Sequence, residues 1–129
     1  MRFIPTRVHG LLDYLVAAVL IALPWAGGFA GRGAETWLPV VLGGGVIGYS
    51  LLTDYEWGLR RVIPVPNHLL LDLGGGILLA ASPWLFAFAD RVWVPHLLIG
   101  LFETAAALTT RLTPGAAGAT GPRPSAAGL

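Results

Sequence analysis

Two histidine–aspartate pairs carry the clearest chemistry in this chain: His9 with Asp13, and His68 with Asp72. Each pair is spaced i, i+4, so on a helix its imidazole and carboxylate are neighbours on one face. Such pairs can pass a proton, ligate a divalent metal, or hydrogen-bond and hold helices together. No H-x-x-x-H or H-E-x-x-H spacing supports a metal. The expectation is a structural clasp in which each aspartate favours its helix N-terminus and bonds its own histidine or the other pair, with no metal and no cofactor.

Glu103 is the second residue of interest, because it follows Leu97, Leu98, Ile99, Leu101 and Phe102 in an apolar run. An ionisable group at the bilayer centre costs roughly 2.5–3.5 kcal/mol on insertion scales. Five apolar neighbours at about 0.5 kcal/mol each nearly offset that cost. Two readings stay open: a proton- or cation-binding carboxyl facing the bundle interior, or a carboxyl that clamps helices together. His96 lies two helical turns before Glu103 on the same face and is expected to be interfacial, with a wet tip.

The remaining chemistry is thin. No Ser-His-Asp arrangement at a common depth can be read. Gly43–Gly45 and Gly74–Gly76 lack the Lys-Ser/Thr that follows a phosphate loop. No catalytic residue is assigned, and no enzymatic activity is expected.

The elements that place these residues are duplicated. His9, Leu12, Asp13, Pro24 and Trp25 recur at one constant spacing as His68, Leu71, Asp72, Pro83 and Trp84. After a shift in register, Trp37-Leu-Pro39 matches Trp93-Val-Pro95, Gly44 matches Gly100, and Leu52-Thr53 matches Leu108-Thr109. Glu103 then pairs with Ile47. The repeats cover about 8–53 and 67–109, each a helical hairpin, with helices expected over about 8–25, 37–53, 67–85 and 94–110. Proline and tryptophan mark the helix ends, Asn67 is a plausible N-cap, and Gly44-x-x-x-Gly48 is a packing face.

Composition says where such hairpins live. The chain has 129 residues, 55% hydrophobic and 12% charged, with mean hydropathy +0.71, too few solvating side chains for a small soluble domain. The partner expected is the lipid bilayer. A net charge of +1 predicts no nucleic-acid partner. Cysteine is absent, which removes disulfides, thiolate metal sites and cysteine nucleophiles. The fold class expected is all-α: a four-helix transmembrane bundle of two duplicated hairpins related by a pseudo-twofold axis along the membrane normal. Residues 1–112 form this membrane domain, and 113–129 a disordered tail rich in proline, glycine and alanine. Arg2, Arg7, Arg60, Arg61, Arg111 and Arg123 fall on one side of the bundle, against Arg32 and Arg91 on the other. Both termini are therefore expected in the cytoplasm.

Ser82-Pro83-Trp84 at a helix end, Pro24-Trp25 as its worn copy, and Trp37 and Trp93 opening the following helices resemble the SPW-repeat family of bacterial inner-membrane proteins. The resemblance covers about residues 3–112. It implies an integral membrane protein and supplies no catalytic residues. Leu23 stands where the motif has serine. The functional expectation is a structural or accessory role, with a homo-oligomer formed through the glycine faces; the alternative is a small oligomeric transporter or proton- or cation-conducting protein using Glu103.

Overall fold

The computed structural model describes residues 1–115. Four α-helices follow one another: α1 (Thr6–Ala26), α2 (Ala34–Leu51), α3 (Val65–Leu85) and α4 (Val94–Thr109), with no strand among the described residues. The expected tail lies, from residue 116 onward, outside the described residues.

Prolines start the helices in place of polar caps. Pro5 before α1 and Pro64 before α3 are both extended (ψ 146°) and make no side-chain cap bond. Asn67 is therefore not an N-cap. It sits inside the first turn, because Pro64 and Pro66 already fix backbone angles suited to entering a helix. Likewise α2 begins at Ala34, so Trp37 and Pro39 lie within the helix instead of opening it.

The ends of α1 and α3 repeat one turn. Gly27 N donates to Leu23 O and Phe29 N to Pro24 O; Phe86 N donates to Ser82 O and Phe88 N to Pro83 O. Each turn needs a left-handed residue, Gly28 (φ 71°) in the first and Ala87 (φ 55°) in the second. Pro83 also has no N–H to offer the Leu79 carbonyl one turn back. The Ser82 hydroxyl donates to that carbonyl at 2.7 Å. That bond is a physical reason for serine before proline in this motif. With Leu23 in the first copy, no side chain donates to the Leu20 carbonyl among the described residues.

Packing follows the hairpins. α1 lies on α2 and α3 on α4, while α2 meets α3 more sparsely. Close approach depends on Gly43 and Gly100. A Cβ on Gly43 would stand 2.8 Å from Ala17 O, and one on Gly100 2.5 Å from Gly76 O. Gly44, Gly45 and Gly48 have open space beside them, so the Gly44-x-x-x-Gly48 face packs against nothing within the described residues.

These contacts correct the register of the second half-repeat. Gly43, Val46, Ser50 and Thr53 face inward as Gly100, Glu103, Ala107 and Thr110 do. The counterpart of Glu103 is thus Val46, not Ile47, and that of Thr53 is Thr110, not Thr109. Matching letters had aligned Trp-x-Pro and Leu-Thr, whereas the inward faces align one residue later.

Polarity is distributed inside out. His9, Asp13, His68, Asp72, His96 and Glu103 are buried, while Leu11, Leu15, Val19, Leu70, Ile77, Leu98 and Leu101 are exposed. Water would penalise that arrangement, and lipid favours it. α1 and α3 are long and apolar enough to cross a bilayer, and α4 is a shorter apolar helix. The chain is a membrane protein. Trp25, Trp37, Trp84 and Trp93 are all exposed at the end of the hairpins where α1 and α3 finish. Trp84 and Trp93 lie 6.1 Å apart there.

Candidate functional site

His9 and His68 are each the fourth residue of their helix, one turn above the prolines, with Asp13 and Asp72 a turn further along the same face. The two faces meet. His9 Nε2 lies 2.9 Å from Asp72 Oδ2, and His68 Nε2 lies 3.0 Å from Asp13 Oδ2. Within the copies, His9 Nε2 is 3.3 Å from Asp13 Oδ1 and His68 Nε2 is 3.0 Å from Asp72 Oδ2. All four side chains are at most 2% exposed. The two pairs meet as one four-residue cluster, and its hydrogen bonds cross from one copy to the other.

The far side of each imidazole is held by a threonine that sequence reasoning did not single out. His68 Nδ1 is 2.8 Å from Thr53 Oγ1, and His9 Nδ1 is 2.9 Å from Thr110 Oγ1. Again the partners come from opposite copies. Short backbone pairings position them. Ile63 N donates to Leu52 O and Asp54 N to Ile63 O, as Ile4 N donates to Thr109 O and Arg111 N to Ile4 O. The segment leading into each histidine helix is thereby stitched to the end of the helix that supplies its threonine.

Proton bookkeeping places a proton on each Nδ1. Thr53 Oγ1 donates to Tyr49 O and Thr110 Oγ1 to Ala106 O, each at 2.7 Å. A carbonyl only accepts, so each hydroxyl spends its single proton there and accepts from Nδ1–H. Each Nε2 then faces carboxylate oxygens, which also only accept. Contacts this short need a proton between nitrogen and oxygen or a cation beside both.

Two tyrosines complete the carboxylates. Tyr49 donates to Asp72 Oδ1 at 2.6 Å and Tyr55 to Asp13 Oδ2 at 3.2 Å. Burial pushes the Tyr55 phenol above its ordinary pKa, with the Asp13 carboxylate adding to the effect, so it stays a donor. Gly10 lets Tyr55 reach this place, since a Cβ there would stand 2.7 Å from the ring. Neither tyrosine has a counterpart in the second copy, where the register places Ala106 and Leu112.

Glu103 and His96 do not join this cluster. Glu103 is 6% exposed and lines a cleft of about 430 Å³ between α2 and α3, with Leu42, Tyr49, Asp72 and Gly75 around it. No hydrogen-bond donor reaches its carboxyl among the described residues. His96 is fully buried, which overturns the expectation of a wet interfacial tip. Its Nε2 donates to the Glu35 carbonyl at 3.2 Å. That carbonyl is free because Pro39, one turn later, has no N–H. Phe29 and Phe88 flank the ring at 5.5 and 4.9 Å. His96 thus repairs a proline break and is not linked to Glu103 by a hydrogen bond among the described residues. At the same end Arg91 makes a two-pronged contact (3.1 and 3.4 Å) to the buried Glu35 carboxylate.

Residues 7–110 match the SPW repeat domain family. The match spans most of the chain, and the protein belongs to that family. No curated protein and no solved structure matches it.

The corrected register separates two adjacent threonines. Replacing Thr110 with valine strips the acceptor from a buried Nδ1–H and should cost about 1–3 kcal/mol. The Thr109 hydroxyl bonds only carbonyls of its own helix, so Thr109→Val should change stability by no more than about 0.5 kcal/mol. Unfolding in detergent checks both; equal effects would contradict the assignment.

Proposed function

We propose that this SPW repeat protein is a multi-pass protein of the bacterial inner membrane, with both termini cytoplasmic, whose role is structural or accessory and not enzymatic. The observation that carries this reading is the mutual satisfaction of the polar cluster: His9, Asp13, His68 and Asp72 are bonded to one another and to Thr53, Thr110, Tyr49 and Tyr55. Arginine placement supports the orientation. Gly44, Gly45 and Gly48, with open space at each Cβ, supply a flat face on which a second copy can pack as a homo-oligomer.

A second reading has its own observation. Glu103 is buried, lines a cleft and has no donor among the described residues, as a proton- or cation-carrying carboxyl would.

Proton flux into liposomes under an imposed pH gradient separates the two. The structural reading expects no flux from wild type or Glu103→Gln. Flux in wild type that the variant loses would replace it with conduction. For orientation, reporter fusions after residue 112 should be active in the cytoplasm, and activity on the opposite side would overturn it.

A further inference from the structure

The clasp has more geometry than a clasp needs. Asp72 Oδ2 lies 2.9 Å from His9 Nε2 and 3.0 Å from His68 Nε2, while the Asp13 carboxylate lies 3.3 and 3.0 Å from the same nitrogens. One N–H proton on each nitrogen cannot serve two oxygens fully, whereas a central ion serves all four ligand atoms. We propose that His9 Nε2, His68 Nε2 and one oxygen each of Asp13 and Asp72 form a closed, four-coordinate site for a divalent first-row transition metal, zinc fitting best.

Three features support the assignment. First, metal–ligand bonds of about 2.0–2.2 Å in a tetrahedron put ligand atoms about 3.3–3.6 Å apart. With Oδ2 of each aspartate as the ligand atom, three nitrogen–oxygen separations of 2.9–3.0 Å need only a small expansion to reach that, and one ligand atom from each of the four residues lies within 4.8 Å of the others. Secondly, the outer shell of a metal site is already built. Metal-bound imidazoles donate their other N–H to an acceptor, and here Thr53 and Thr110 accept from Nδ1 while Tyr49 holds the second oxygen of Asp72. Thirdly, charge balances. A dication with two neutral imidazoles and two carboxylates leaves the buried site with no net charge. Two imidazoles and two carboxylates are a borderline donor set suited to such ions. The cleft that carries Glu103 also reaches Asp72, so it borders the ligand set. With four protein ligands and almost no exposure the site is structural, a staple between the copies.

The test is titration of the full chain, purified in detergent and stripped with chelator, with cobalt(II) as the probe and zinc as competitor. Wild type should bind one ion per chain with the intense visible bands of tetrahedral cobalt, and zinc should displace them. His9→Gln and Asp72→Asn should abolish those bands. Thr110→Val, which keeps every ligand and loses only an outer partner, should weaken binding by about 10- to 100-fold. Asp90→Asn, at an exposed carboxylate, should bind as wild type does. Wild type lacking tetrahedral bands overturns the proposal without any variant, as does binding that His9→Gln and Asp72→Asn leave unchanged. Neither readout depends on proton flux, so the metal site and the structural role stand or fall separately.

Discussion

Burying four ionisable side chains inside a lipid-facing bundle is tolerable only if each is answered by another, and that demand organises this molecule. A single His–Asp pair on one helix would leave lone pairs and protons unanswered in a medium without water. Two such pairs turned toward each other answer one another, and the threonines and tyrosines take up what is left. Removing one member of a buried pair is far costlier than the pair's net worth, about 3–5 kcal/mol, because the survivor keeps its desolvation penalty. Duplication is therefore more than history here: neither hairpin can satisfy its own polar residues alone.

The same economy appears at the opposite end of the bundle. Pro39 and Pro83 each remove an N–H from a helix in a place where water cannot replace it, and in each case a nearby side chain donates to the orphaned carbonyl, His96 for Glu35 and Ser82 for Leu79. Such repairs are how prolines persist in membrane helices. Glu103 stands apart from both ends. It stands where the first copy has an apolar residue, Val46, at the same inward position, and it opens onto a sparsely packed seam between α2 and α3.

Much of this was legible in the residues themselves. A repeated His-x-x-x-Asp, repeated prolines and tryptophans, and a near absence of charge were enough for four helices in two hairpins. They also singled out His9, Asp13, His68 and Asp72. What the letters hid was facing. Leu52-Thr53 matches Leu108-Thr109 by identity, yet Thr53 and Thr110 share the role, and no periodicity count distinguishes two adjacent threonines at a helix end. The burial of His96 is hidden for a similar reason. Its partner is a backbone carbonyl on another helix, freed by a proline whose position relative to the helix start could not be known until α2 was seen to begin at Ala34. Spacing within one segment gives no metal signature, and the four side chains that meet come from two segments.

The most direct test of the central claim, that the copies are locked by bonds crossing between them, is a double-mutant cycle for unfolding in detergent and chelator. His9→Gln is combined with Asp72→Asn across the copies and, separately, with Asp13→Asn within one. The account predicts a coupling of about 1–3 kcal/mol for His9 with Asp72, larger than that for His9 with Asp13. Additive effects across the copies, with coupling confined to His9 and Asp13, would contradict it.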